Sequence, residues 1–394
     1  MASFTPPATE ETTFPPSVST RNQDKSEEDK KPKRILSIDA LRGFDMLFIS
    51  GAGTFLLLLE GKTGLAWVDA IARQMEHPAW NGFTFYDFIF PLFLFIAGVS
   101  LPFSLNKGLS LGMSKTDLYR KAFRRMLILI VLGLLYKNAP ITFFEPSQIR
   151  LGSVLGRIGF AGFVTTLLYL NYSDKARIGW VAGILVLYYA ALFLIPIPCY
   201  GAGDLSFEGN LVGWFDRTFL PGRMLQGTYD ELGLLTQLPA LCLTVLGAAA
   251  GEVLRSQRNE GQKLQWLLLA GVVCLGLGLL WGLHFPINKH LWTSSFILLT
   301  GGMAFLSLGL FFWIIDMLHF RRWAFFFQVI GLNSLTIYLT YRFINFGLTA
   351  ELLFGGLYAP APEAWHGVFQ SLGALALVWL FLYFLYRNKL FLKV

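Results

Sequence analysis

Apolar runs of membrane length recur along this chain from residue 35 to its C-terminal end. A run of about 18 or more apolar residues is long enough to cross the hydrocarbon core of a bilayer as a helix. Lipid offers the backbone no hydrogen bonds, so a spanning segment must satisfy its own N–H and C=O groups. Long continuous runs do so as helices, whereas a barrel needs short segments of alternating polarity. The chain therefore reads as an all-α integral membrane protein, a bundle of about ten transmembrane helices. The spans fall near 36–59, 83–105, 122–138, 151–171, 178–197, 233–254, 264–284, 291–315, 324–345 and 364–386. Composition agrees: 14% of the residues are charged, against about 25% in soluble proteins.

Basic residues set the orientation. The segments 1–34, 106–125, 172–178, 252–264, 316–323 and 387–394 hold 22 of the 32 Lys and Arg residues, and the alternate loops hold 8. By the positive-inside rule both termini are cytoplasmic. These anchors account for the net charge of +7, so no nucleic-acid partner is needed to explain it. Residues 1–31 are polar, with Pro6, Pro7, Pro15 and Pro16 and the charged run DKSEEDKK, and read as a disordered tail. The tail lacks the apolar core of a signal peptide. Cys199, Cys242 and Cys274 have no spacing pattern, so neither a disulfide framework nor a metal site is expected. The sequon at Asn171 falls on a cytoplasmic loop and is discarded. No repeat of 20–50 residues and no phosphate-cradling glycine motif is visible.

Two runs near the start carry charge where charge is expensive. The stretches SIDALRGFDMLF (37–48) and EHPAWNGFTFYDFIFPLFLFIAGVSLPFS (76–104) hold Asp39, Arg42, Asp45 and Asp87, with His77 on the loop between them. A charged residue at the centre of a bilayer costs about 2.5–3.5 kcal/mol on insertion scales, so such residues are seldom kept for packing. In this topology the non-cytoplasmic end gathers His77, Trp80, Asn81 and Asp87. It also receives Arg223, Asp230 and Glu231 from the loop 198–232, and Lys289, His290, Trp292 and Ser294 from the loop before the eighth span. The cytoplasmic end offers Arg120, Lys121, Arg124 and Arg125. The first end suits acid–base work and the second suits phosphate.

Each residue also has a purely structural explanation. Arg124 and Arg125 fit as positive-inside anchors. Asp39 and Arg42, three apart, pair on one helical face. Trp80 and Trp292 fit an interfacial aromatic belt, and Lys289 fits a side chain snorkelling to the interface. His284 and His290 sit at span ends, His319 lies among cytoplasmic anchors and His366 opens the last span. Only the joint occurrence of a histidine, carboxylates, a lysine and two tryptophans beside intramembrane charge points to chemistry.

Several motifs then coincide in order and spacing. They are S37-x-D39-x-x-R42-G43, H77-x-x-W80-N81-G82 with D87 and F90-P91, RLGSVLGRIG (150–159), PGRMLQGTYDELGLL (221–235), INKHLWTSSF (287–296) and IGLNSLTIYL (330–339). From about residue 34 to the C-terminus the chain resembles the transmembrane acetyltransferases typified by heparan-alpha-glucosaminide N-acetyltransferase, and more closely their bacterial relatives. The arrangement of Arg34, Asp39 and Arg42-Gly43 is also similar to the acyltransferase type 3 family. The resemblance implies a transmembrane acyltransferase domain over 34–394 after a cytoplasmic tail over 1–33. It implies transfer of an acetyl group from cytosolic acetyl-CoA to an acceptor on the far side of the membrane. In that family the histidine before the W-N-G triplet is catalytic, which is His77 here. This chain reads SGAGT (50–54) where the animal enzyme has an asparagine near the outer end of the first span, and its connection 60–76 is longer. Both departures leave heparan sulfate unsupported as the acceptor.

From these readings His77 is expected to act as general base or acetyl carrier, its pKa class being near working pH. Asp87 is expected to orient it, and Asn81, Trp80, Lys289 and Ser294 to donate to the oxyanion or the sugar. Asp230, Glu231 and Trp292 are expected at the acceptor, and Arg42, Arg124, Arg125 and Arg157 at the CoA phosphates and the pantetheine path. The expected partners are the bilayer, acetyl-CoA and a saccharide or glycoconjugate with an amine or hydroxyl. No metal and no nucleic acid are expected, and a homodimer is left open. A bacterial cytoplasmic membrane is the expected location, since no large non-cytoplasmic domain precedes the first span as it does in the animal enzyme. Two rival readings stand beside this one. A multi-span transporter of a small polar solute would also use many spans, glycine and intramembrane charge. A membrane scaffold or sensor would depend on its tail.

Overall fold

The computed structural model describes residues 35–140 and 145–392. The expected tail over 1–33 and Arg34 lie outside the described residues. Among the described residues the chain is helical and carries no strand beyond an isolated bridge between Ile197 and Gly201.

Among the described residues eight helices are long and apolar enough to cross a membrane. In chain order they are α1 (Leu36–Leu57), α3 (Phe85–Ser110), α5 (Val154–Asn171), α6 (Asp174–Leu194), α8 (Gln237–Arg255), α9 (Glu260–Gly282), α10 (Ser294–Met317) and α14 (Glu363–Arg387). The expected span at 324–345 is two helices, α11 (Ala324–Leu332) and α12 (Ser334–Phe343), bent by 67° at Asn333. The expected third span lies inside α4 (Lys115–Asn138), whose first half carries Arg120, Lys121, Arg124 and Arg125. That charge keeps α4 from qualifying by hydropathy. Three further helices sit in the expected loops: α2 (Ala66–Arg73), α7 (Leu211–Phe219) and the apolar α13 (Phe346–Tyr358).

Local sequence explains where the helices begin. Thr84 opens α3 with a capping box closed by Asp87, and Ser114 and Asp117 do the same for α4. Such a box satisfies two orphan N–H groups reciprocally. Ser153, Asn210 and Asn259 accept from the first turns of α5, α7 and α9. The start of α1 is capped from elsewhere: Leu36 N–H and Ser37 N–H donate to the Asp316 carboxylate at 3.3 and 3.2 Å. A negative charge there also complements the helix dipole.

Burial identifies the centre. In the apolar windows of α3 and α8, 67% and 72% of residues are buried, against 17% in α9 and α14. Several helix pairs touch backbone to backbone. A Cβ added at Gly43 of α1 would fall 1.7 Å from the Phe327 carbonyl oxygen of α11. One added at Gly98 of α3 would fall 2.1 Å from the Thr244 oxygen of α8, and one at Gly302 of α10 would fall 2.4 Å from the Leu275 nitrogen of α9. Small residues permit this approach, and in lipid, close packing largely replaces the hydrophobic drive for association. Helix α1 is also broken. It runs as a π-turn over Phe48–Ala52, where Gly51 takes φ 108°, and Tyr341 of α12 donates to the Ser50 carbonyl this frees.

Candidate active site

Two loops far apart in sequence dock at one end of the bundle. Gly82 N–H donates to the Ile287 oxygen at 2.9 Å, and Asn288 Nδ2 donates to Asn81 Oδ1 at 3.0 Å. The second loop is stiffened by Asn288, whose Oδ1 accepts from Leu291 N–H at 2.9 Å, and by Thr293 Oγ1, which accepts from Asn288 N–H at 3.1 Å. The docked loops bring three side chains together. His77 Nδ1 lies 2.6 Å from Asp87 Oδ1. Lys289 Nζ lies 3.1 Å from His77 Nε2, 3.2 Å from Nδ1 and 3.3 Å from the same Asp87 oxygen. Asp87 is 1% exposed, whereas the His77 side chain is 43% exposed. The carboxylate is sheltered and the imidazole is reachable. Tyr86 covers one side of the ring, with centroids 5.1 Å apart.

A second cluster adjoins the first. His290 Nδ1 is 2.9 Å from Glu231 Oε1 and 2.8 Å from Tyr229 Oη. Trp80 stacks on His290 with centroids 5.2 Å apart and donates from Nε1 to the Leu205 oxygen at 2.9 Å. Burial alone would raise the Glu231 carboxyl. The His290 hydrogen bond and the Lys289 and His290 charges outweigh it and hold the group at about 2. Burial also pushes the Tyr229 phenol up, with Glu231 and Asp230 adding to the effect.

Other expected residues are placed differently. Asp230 is fully buried in a two-point pair with Arg150, Oδ2 to Nε 2.6 Å and Oδ1 to Nη2 2.7 Å, and also accepts from Leu225 N–H and Leu232 N–H. This carboxylate faces a helix-packing partner and has no free edge for an acceptor. Asp216 beneath it is raised to about 6 by burial, against hydrogen bonds from Asp230 N–H and Leu234 N–H. Ser294 is fully buried and donates from Oγ to the Leu185 oxygen at 2.7 Å, so its hydroxyl is not offered to a reacting group. Trp292 is 1% exposed, with φ 51°, and its ring carries the Arg157 guanidinium at 4.5 Å. It is a core residue and does not join an interfacial belt. Arg157 donates to Thr236 Oγ1 and Gln237 Oε1. It therefore lies at the His77 end, away from Arg42, Arg124 and Arg125, with which it was grouped.

The opposite end holds the other arginines. Arg42 Nη2 donates to Ser100 Oγ at 2.7 Å, and Nη1 lies 3.4 Å from Asp39 Oδ1. Arg125 of α4 is near enough for its charge to act on that of Arg42, and Arg124 is exposed. Thirteen residues of α3 separate Asp87 from Ser100, about 20 Å at 1.5 Å per residue. Helix α1 carries Asp45 and Ser50, both buried, whose side-chain oxygens have no hydrogen-bond partner. Among the described residues no cluster of His, Cys, Asp and Glu is arranged to hold a metal ion.

The sequence did not single out Arg150, Tyr229, Asn288 or Thr84, and His290 was assigned no catalytic or binding role. Only Thr84 had a local signal, the spacing of T84-F-Y-D87 that marks a capping box. The others acquire their partners through contacts 61–207 residues away in sequence, as for Tyr229 with His290 and Asn288 with Asn81.

Known proteins resemble this chain along most of its length. A family model described as a domain of unknown function (DUF5009) matches residues 34–194. The chain is homologous to heparan-alpha-glucosaminide N-acetyltransferase of Homo sapiens, 26% identical over 92% of the chain, and to that of Mus musculus, 25% identical over 92%. It spans 60% of the length of each of these relatives.

Proposed function

We propose that the chain is a membrane-embedded acetyltransferase that moves an acetyl group from cytosolic acetyl-CoA to an amine or hydroxyl of a sugar at the non-cytoplasmic face. The observation that carries this reading is His77, exposed, with a buried carboxylate at 2.6 Å and an ammonium at 3.1 Å. The relatives named as N-acetyltransferases support the reaction class.

Each partner has a chemical task. Asp87 accepts a hydrogen bond from Nδ1–H, which puts the lone pair on Nε2, and it fixes the ring. Nε2 takes the proton of the acceptor as the acceptor attacks the thioester carbonyl. The Lys289 ammonium beside Nε2 offsets the charge of the tetrahedral oxyanion. Collapse expels the CoA thiolate, which takes the proton from His77. In the alternative route Nε2 attacks the thioester and expels the CoA thiolate, and the acceptor then takes the acetyl group from Nε2 and leaves its proton there, giving ping-pong kinetics. Glu231, His290 and Trp80 offer a carboxylate, an imidazole and an indole face beside this centre, groups that suit a sugar acceptor. Arg42, Arg124 and Arg125 would hold the CoA phosphates at the other end. The separation along α3, about 20 Å, is comparable with an extended phosphopantetheine arm.

The test is acetyl-CoA turnover by the purified protein in detergent, with glucosamine and a panel of amino- and hydroxy-sugars. Acceptor-dependent release of CoA that vanishes in His77→Ala is the expected result. Release that survives the substitution would remove His77 from the chemistry. Solute uptake into vesicles without CoA release would replace the reading with transport.

A further inference from the structure

A groove of about 1170 Å³ runs between α6 and α9 over the face of α8. It exceeds the roughly 300–1,000 Å³ of ordinary small-molecule sites. Its floor is apolar, built from Val181, Leu185, Val245, Ala249, Ala270 and Leu277. From Trp266 at one end to Trp281 at the other it follows fifteen residues of α9, about 22 Å of helix, a large part of the roughly 30 Å hydrocarbon core.

Only one mouth of the groove is charged. It carries Lys175, Arg177, Arg255 and Arg258 with Asp174 and Glu252. Both carboxylates bind the same buried arginine: Arg177 Nη2 pairs with Asp174 and lies 2.8 Å from Glu252 Oε2. Lys175, Arg255 and Arg258 are exposed and have no carboxylate partner among the described residues. Arg258 is held over the Trp266 ring at 5.0 Å. These cations lie on the segments 172–178 and 252–264 that mark the cytoplasmic side by charge.

We propose that this groove binds an anionic phospholipid of the cytoplasmic leaflet, its acyl chains along α6 and α9 and its phosphate held by Lys175, Arg255 and Arg258. Basic pockets between transmembrane helices select anionic headgroups for this reason. Charge argues against a second copy of the chain as the occupant. A two-fold axis along the membrane normal keeps both copies at one depth, so groove-to-groove packing would set the three cations against their own copies. The site is independent of the chemistry at His77.

The experiment is native mass spectrometry of the full chain released from nanodiscs that hold phosphatidylglycerol and phosphatidylcholine of identical chains. The expected result is retention of phosphatidylglycerol over phosphatidylcholine by roughly tenfold or more. The preference should disappear in the Lys175→Gln/Arg255→Gln/Arg258→Gln variant, which should still retain lipid. Ala270→Phe, which fills the floor and leaves the cations, should reduce retention of both lipids. Equal retention of the two lipids by the unsubstituted chain would overturn the proposal. So would oxidative cross-linking of two copies through Cys274, which lines the groove, because a second chain would then be the occupant.

Discussion

Asp87 holds His77 with one carboxylate oxygen and its own helix with the other. Oδ1 lies 2.6 Å from His77 Nδ1, while Oδ2 accepts from Thr84 N–H at 3.1 Å as part of the capping box of α3. The position of the imidazole is thus tied to the start of a rigid membrane helix. Thr84 Oγ1 also donates to the Glu76 oxygen at 2.5 Å, so the loop carrying His77 is fastened to the same cap.

This double role predicts a separable effect. Asp87→Asn keeps an oxygen able to accept from Thr84 and removes the charge that fixes the His77 tautomer. The turnover number should fall by about 10²–10⁴-fold, the range of general acid–base catalysis, with a small change in melting temperature. A loss of folded protein without a selective loss of turnover would reduce Asp87 to a cap.

Lys289 is expected to act on the transition state. Lys289→Met should lower the turnover number by about 10²–10³-fold, as the loss of one oxyanion donor does. The acceptor Michaelis constant should stay nearly constant. A large rise in that constant with unchanged turnover would make Lys289 an acceptor ligand.

Arg124 and Arg125 give a complementary result. Arg124→Gln/Arg125→Gln should raise the Michaelis constant for acetyl-CoA and spare that for the acceptor. An unchanged constant for acetyl-CoA would leave these residues as membrane anchors.

The Arg150–Asp230 pair should matter for folding. Both side chains are buried, at 6% and 0% exposure. Asp230→Ala leaves an uncompensated buried arginine and should cost about 3–5 kcal/mol. Replacing both residues by apolar ones of similar volume should cost less than this single substitution. Thermal unfolding of the two variants decides the comparison.

Glu231 predicts a pH effect with a definite sign. Its folded value of about 2 lies below the ordinary glutamate value of about 4.3. The stability it contributes is fully present above that ordinary value and is lost as pH falls toward 2. Between pH 5 and pH 2.5 the melting temperature of the unsubstituted chain should fall more than that of Glu231→Gln. Parallel curves would show that the His290 contact does not stabilise the ionised carboxylate.

Hydropathy made the membrane helices legible, because lipid forces every spanning segment to be apolar and helical. The break at Asn333 and the helix α13 were not legible. The first lies inside one run of membrane length, and a bend leaves no mark on composition; the second is too short to read as a span. Motif spacing singled out His77 and Asp87, which lie close in sequence and meet at a helix cap. Lys289 and His77 are 212 residues apart, and no local pattern announces that they touch.

The sequence by itself determined that the chain is built of long apolar helices, where capping boxes open α3 and α4, and the gathering of basic residues into alternate loops, because these follow from local chemistry. Only the tertiary structure decided which polar side chains remain reachable. Asp230 and Glu231 are neighbours in the chain, yet one is sealed against Arg150 and the other is 19% exposed beside His290. Trp80 stacks at the site while Trp292 closes over Arg157. Side chains point where helix packing leaves room, and that room is set by backbone contacts such as Gly43 against Phe327, which join segments nearly three hundred residues apart.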